Sequence, residues 1–183
     1  MTHQFKAGVL TVSDKGYAGT RLDESGKEIA ALLDSRGFQV VKRQIVPDER
    51  EVISRILEQW ADEGHLSLIA TTGGTGLSPR DVTPQATEDV IHYAIPGIPE
   101  AMRAGSMTIT PHAMLSRGLA GVRGDCLIIN LPGSTRGALE NLKVVLPALP
   151  HALAKIAGDA SDCADAGHGT VSKERTGKCR CGI

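Results

Sequence analysis

Aromatic side chains are nearly missing from this sequence, which has one Trp, two Tyr and two Phe among 183 residues. The interior must therefore be built from Val, Ile, Leu and Ala, and the 41% apolar content is enough to exclude wholesale disorder. A basic excess is missing too. Formal net charge is −1 with 22% charged residues, so the average surface lacks the positive field that nucleic-acid binding demands. No stretch approaches the roughly 20 apolar residues needed to cross a bilayer, and the opening MTHQFKAGVL has no secretory apolar run. Cysteine is sparse: Cys126 sits in an apolar run, while Cys163, Cys179 and Cys181 fall near the end. That is not the spread of a disulfide-stapled domain, and a cytoplasmic protein in a reducing compartment is expected, with no nucleic acid or membrane as partner. There is no internal repeat. Neither the Gly-Lys-Ser/Thr of a P-loop nor the spacing GxGxxG occurs.

What is present alternates. FKAGVLTV (5–12) reads as a strand and DESGKEIAALLDSRG (23–37) as a helix stopped by Gly37. A second strand is expected over 38–46. PDEREVISRILEQWADEG then places Val52, Ile53, Ile56, Leu57 and Trp60 on one helical stripe, and the apolar run LSLIATT marks a strand covered on both faces. Thr83 and Pro84 suit the N-cap and first position of a helix over PQATEDVIHYA, and another helix is expected over 99–107. LAGV (119–122) and CLIINLP (126–132) read as two further strands that a turn at Arg123-Gly124 could join as a hairpin. Helices over 134–145 and 147–157 complete one domain. This order predicts a three-layer α/β/α domain with a largely parallel central sheet and a ligand site where the strands' carboxyl ends emerge.

Three loops should meet at that edge: SDKGYAGTR after the first strand, GGTGLSPRD after the third and PGSTRG after the last. Each is rich in Gly and small hydroxyl residues. Glycine lets backbone N–H groups converge on an anion with no Cβ in the way, and a helix N-terminus adds a favourable dipole. Phosphate is the natural guest, although plain tight turns need the same glycines. Asp81 stands two residues ahead of Thr83-Pro84, which already supplies the helix start. Its carboxylate is therefore a functional candidate, with an Asx turn as the structural alternative. Asp48 heads Asp48-Glu49-Arg50-Glu51, the pattern of a capping box, and by that pattern alone is structural. Arg80, Arg103 and Arg136 could neutralise phosphate, yet a single arginine on a loop or helix is more often a solvated charge.

VPDE, TTGGTG with RDVTPQAT, PGIPEAMR, TPHAMLSR and LIINLPGS together resemble the molybdopterin adenylyltransferases of molybdenum-cofactor biosynthesis, the MogA/MoaB group that includes the plant and gephyrin G domains. The resemblance covers about residues 5–158. It implies a molybdopterin-binding domain that forms a homotrimer, takes molybdopterin and Mg-ATP, and makes adenylylated molybdopterin with release of pyrophosphate. It also implies catalytic roles for Asp48 and Asp81, which would hold Mg²⁺ with ATP. The ligand loops carried over are Gly73, Gly74, Thr75 and Gly76; Pro132, Gly133 and Ser134; and Ser13 with Asp14. Arg80 or Lys15 would offset phosphate charge, and Glu100 would line the same pocket. Molybdopterin synthase and the molybdenum-insertion protein are implied partners. Two other readings stay open, a pterin-binding scaffold without transfer and a nucleotide pyrophosphohydrolase of related fold.

Beyond the domain, 159–183 loses any apolar period and reads as a flexible extension. Cys163, His168, Cys179 and Cys181 offer metal ligands there, but the Cys-x-Cys spacing is not the usual zinc knuckle.

Overall fold

Residues 5–159 are described by the structure, a computed structural model; the tail cysteines and His168 lie outside the described residues. The elements run β1 (Phe5–Val12), α1 (Asp14–Tyr17), α2 (Glu24–Ser35), β2 (Phe38–Val46), α3 (Arg50–Asp62), β3 (Leu68–Thr72), α4 (Thr83–Glu88), β4 (Tyr93–Ala94) and α5 (Gly97–Met107). A 3-10 turn (Pro111–Leu115), β5 (Ala120–Arg123), β6 (Cys126–Leu131), α6 (Thr135–Val145) and α7 (Leu149–Ile156) follow. The six strands form one sheet in the order β2-β1-β3-β6-β5-β4. β2, β1, β3 and β6 are parallel, and the β5 and β4 edge is antiparallel. The β5–β6 hairpin pairs Arg123 with Cys126, so its turn is Gly124-Asp125, one residue later than the sequence suggested.

Alternation along the strands explains the three layers. Ala7 and Val9 of β1, Leu68 and Ala70 of β3, and Leu127, Ile129 and Leu131 of β6 pack with Ile29, Met102, Leu142 and Leu153 on one face. The intervening Leu10, Val12, Ile69, Cys126 and Ile128 pack with Ile53, Leu57 and Trp60 of α3 and with Ala86 on the other. β3 and β6 are buried throughout, as expected of parallel strands sandwiched between helices. On α3 the stripe is narrower than its sequence implied, since Val52 and Ile56 are only partly buried. No helix among the described residues is long and apolar enough to cross a membrane.

The short elements α1, β4 and the 3-10 turn carry no sequence signature long enough to read. Thr83 is also displaced from its expected role: it is the first helical residue of α4, with Val82 in the cap position and no side-chain cap bond. Its hydroxyl is used elsewhere, with consequences for the neighbouring loop.

Candidate functional site

The strands β1, β3 and β6 end level with one another, Thr11 opposite Thr72 and Thr72 opposite Leu131. Their loops therefore start side by side. Gly73 (φ +101°) and Gly74 (φ +62°) both lie in the left-handed region. A Cβ on Gly73 would collide with the Val12 carbonyl, and one on Gly74 with the Thr83 hydroxyl. We expect Gly73→Ala to lower stability by on the order of 2 kcal/mol, read as a fall in the denaturant midpoint with unchanged slope.

Thr83 sets the direction of this turn. Its N–H donates to Gly74 O at 3.1 Å and its hydroxyl to Gly73 O at 2.9 Å. With both carbonyls turned to the start of α4, the amides of Gly74, Thr75 and Gly76 find no acceptor among the described residues. The amides of Gly133 and Ser134, ahead of α6, are free in the same sense. Ser134 caps α6 by accepting from Gly137 N at 3.2 Å, and Ser13 caps α1 by accepting from Gly16 N at 3.1 Å. Such bare donors at helix starts and glycine turns attract anions.

Two cavities open here. One of about 640 Å³ is lined by Ser13, Asp23, Asp48, Gly73 and Thr135 among others. A second of about 380 Å³ is lined by Thr75, Asp81, Met102, Arg103, His112 and Asn130 among others. Gly74, Gly133 and Ser134 line both, and Pro132 lines the second. The free amides thus form a wall common to two ligand-sized spaces.

Asp48 and Asp81 flank that wall. A Cβ added to Gly74 would stand 3.4 Å from Asp48 Oδ1, and one added to Gly76 would stand 2.9 Å from Asp81 Oδ2. The capping-box reading of Asp48 is corrected by the structure. Glu49 occupies the cap position of α3 and makes no side-chain cap bond. Asp48 instead exchanges hydrogen bonds with Asp14: Asp14 N donates to Asp48 Oδ2 at 2.7 Å, and Asp48 N donates to Asp14 Oδ1 at 3.0 Å. Local spacing pointed to the helix that follows, but chain packing presents β1's loop first. Burial pushes the Asp48 carboxyl above the usual carboxylate range; the Asp14 amide opposes this, and the charges of Asp14 and, more weakly, Asp81 add to it. Asp81 does have a structural bond, accepting from Ser78 N at 2.8 Å, so the Asx-turn alternative is realised alongside its place in the cavity.

The charged residues divide. Arg80 pairs bidentately with Asp14, Nη2 to Oδ1 at 2.8 Å and Nε to Oδ2 at 3.1 Å, and this holds the Asp14 carboxyl below its ordinary range. Arg103 lines the smaller cavity and donates to Gly118 O at 3.1 Å. Arg136 lies exposed on α6 against Glu140, and Lys15 is exposed on α1. Glu100 is exposed on α5 and is not among the residues lining either cavity, although its neighbour Pro99 is. Three contributors escaped sequence reasoning. Asn130 is buried and donates to Thr71 Oγ1 at 3.0 Å and Thr87 Oγ1 at 2.9 Å, tying β6 to β3 and α4 beneath the smaller cavity. Asp23 caps α2 through Gly26 N at 2.8 Å while accepting from Thr11 at the end of β1. Arg117 donates from Nε to Gly76 O at 2.7 Å and from Nη2 to Asp81 O. Apart from the local cap made by Asp23, these are contacts between residues far apart in the chain, which spacing along the sequence does not announce.

No group of three metal-ligating side chains occurs among the described residues, so a closed protein cage for a cation is not built here. Mg²⁺ does not need one, because it keeps waters and shares substrate phosphate oxygens with one or two carboxylates. Asp48 Oδ1 and Asp81 Oδ1 each accept no hydrogen bond from the described residues, while the partner oxygen of each is anchored by a backbone amide. One tethered and one open oxygen per carboxylate suits such an ion.

Comparison with known proteins agrees with this geometry. Residues 8–151 match the family described as "Probable molybdopterin binding domain". The molybdopterin adenylyltransferase of Helicobacter pylori is 42% identical over 154 residues, covering 83% of this chain and 88% of that protein. Gephyrin of Dictyostelium discoideum is 47% identical over 161 residues, covering 81% of this chain, which spans only 22% of that longer protein. Among solved structures, the molybdopterin biosynthesis enzyme MoaB of Thermus thermophilus superposes with a TM-score of 0.81 at 50% identity, covering 85% of this chain and 98% of the other. With the match extending over nearly the whole sheet and both loops that bear free amides, this chain belongs to the molybdopterin-binding family of molybdenum-cofactor biosynthesis, in its MogA/MoaB group.

Proposed function

We propose that this chain is a molybdopterin adenylyltransferase, moving AMP from Mg-ATP to the terminal phosphate of molybdopterin with release of pyrophosphate. One observation carries the reading: two cavities share a wall of unbonded amides at Gly74, Gly133 and Ser134, with Asp48 on one side and Asp81 on the other. Two anionic substrates that must react end to end require such an arrangement. The pterin phosphate is already an anion, so its attack on the α-phosphorus needs no strong base; charge repulsion is what opposes the reaction. Fixed N–H donors and close positioning lower that barrier without reorganisation during the step. Bound with ATP, Mg²⁺ would supply neutralisation of phosphate charge, and the carboxylates of Asp48 and Asp81 are the groups that would hold it. Ser13, Asp14, Gly73, Thr75, Gly76 and Pro132 belong to the same binding surface, and Arg80 is available to phosphate if it leaves Asp14. Asp14 and Arg80 line neither cavity and enter through their bonds beside Asp48, whereas Glu100 has less support, since it lines neither cavity and has no such bond among the described residues.

The adenylyltransferase domain of this reading is 5–158, in the cytoplasm. The exposed apolar residues Met107, Ile109, Met114, Leu115 and Val144, on α5, the 3-10 turn, the link between them and α6, favour self-association, and the family resemblance makes the assembly a homotrimer. Molybdopterin synthase and the molybdenum-insertion protein are the partners on either side of the reaction. The deciding experiment incubates the chain with Mg-ATP, with and without molybdopterin. Pyrophosphate release that depends on the pterin is expected. Hydrolysis without pterin would instead mean a pyrophosphohydrolase, and pterin binding with no turnover a scaffold.

A further inference from the structure

We infer that Arg117 is a positioning residue for adenylyl transfer, gripping the loop that carries both the free amides and Asp81; this rests on the transfer reading above. The loop between Gly76 and Asp81 is poorly supported by packing. Leu77, Ser78, Pro79 and Arg80 are all exposed, with Leu77 at 65%. The Ser78–Asp81 turn and the Arg80–Asp14 pair hold the middle of this exposed stretch, but its position still wanders unless its ends are tied to the body of the domain. Arg117 ties both. Its Nε donates to Gly76 O at 2.7 Å, its Nη2 donates to Asp81 O, and its backbone N–H donates to Thr75 O at 2.9 Å. The two side-chain bonds leave from one edge of a planar fork, so the separation of the Gly76 and Asp81 carbonyls is set by the rigid guanidinium.

The grip is itself held. Arg103 donates from Nη1 to Ser116 O at 3.4 Å and to Gly118 O at 3.1 Å, the carbonyls on either side of Arg117. A chain of contacts thus runs from α5 through the Ser116–Gly118 backbone to the amide-bearing turn. Arg117 is partly buried and makes no ion pair among the described residues. A guanidinium spent on carbonyls rather than on a carboxylate keeps its charge available beside an anion site. It is also not replaceable by an ammonium, which lacks two donors in a fixed plane. Because the anchored atoms are backbone carbonyls, Arg117 acts through the placement of the Gly74–Gly76 amides and the Asp81 carboxylate.

The test uses Arg117→Lys and Arg117→Met in the full chain, with kcat and KM measured for ATP and for molybdopterin, and with the folded fraction at the assay temperature read by circular dichroism. Both variants are expected to lose about tenfold or more in kcat while fully folded, with either KM moving by less than about threefold, and Lys to restore little of what Met loses. A kcat within twofold of the unsubstituted chain, a loss confined to KM, or a loss equal to the unfolded fraction overturns the inference. Should Arg117→Met fail to fold, Arg117→Lys alone decides by the same readings. An unsubstituted chain with no pterin-dependent pyrophosphate release removes the transfer reading and this inference with it, an outcome separable from the others because the variants play no part in it.

Discussion

Asp81→Asn is expected to cut adenylyl transfer by about a hundredfold or more while leaving folding and pterin affinity nearly unchanged, the scale of losing a main electrostatic contributor. The geometry makes this substitution a clean one. The Asp81 oxygen that accepts from Ser78 N is replaced by an amide oxygen that accepts equally well, so the Asx turn survives. The Arg117 contact is to the Asp81 main-chain carbonyl and is untouched. What disappears is the negative charge and the second carboxylate oxygen, Oδ1, of a residue that lines the cavity. Single-turnover pyrophosphate release, beside a pterin titration and a thermal melt, separates the two effects. Wild-type turnover in the variant would remove Asp81 from the mechanism.

Asp48→Asn should show a different signature, with activity falling by about a hundredfold and stability rising at neutral pH. The Asp48 carboxyl is raised above its unfolded value, with burial the largest cause. A raised folded value means the native state holds the proton more tightly than the unfolded chain does. The stability this group contributes is therefore full below the ordinary carboxylate value near 4 and is lost as pH rises through the folded value. At pH 7 the ionised Asp48 is a cost to the fold, and asparagine removes it while still accepting from Asp14 N. The expected result is a higher Tm for Asp48→Asn at pH 7, with the advantage shrinking as pH falls through the carboxylate range. A variant less stable than wild type at pH 7 would show that the Asp14–Asp48 exchange needs the charge.

These two residues also show how far local reading carries. Asp81 stood out because Thr83-Pro84 already supplied a helix start beside it, although Thr83 proved to be the first residue of α4 and not its cap, and the carboxylate closes an Asx turn as well. Asp48 was misread because a capping-box pattern is a statement about four consecutive residues, and its real partner, Asp14, arrives at the start of α1, beyond β1. The order β-α-β-α-β and the buried nature of β3 followed from period and from continuous apolar runs. α1, β4 and the 3-10 turn did not, being shorter than any periodic signal can resolve. Arg80 was marked as a candidate charge by its type and place, yet nothing in GLSPRD says that it spans to Asp14. Glu100 came from family resemblance alone and, like Asp14, Lys15 and Arg80, lines neither cavity; unlike Asp14, it makes no bond to a residue that does, among the described residues.

The amino-acid order by itself determined the layered α/β architecture, an aliphatic core on both faces of the sheet, and glycine turns at the carboxyl ends of β1, β3 and β6. Those are properties of near neighbours: alternation decides which face a side chain meets, and a missing Cβ decides where the backbone can turn. Only the tertiary structure decided that Thr83 turns the Gly73 and Gly74 carbonyls away, that the freed amides form a wall shared by two cavities, and that Arg117 and Asp14 brace the loops beside Asp81 and Asp48. Hydrogen bonds between residues far apart in the chain have no period and no spacing, so they come into being only when parallel strands bring their ends level.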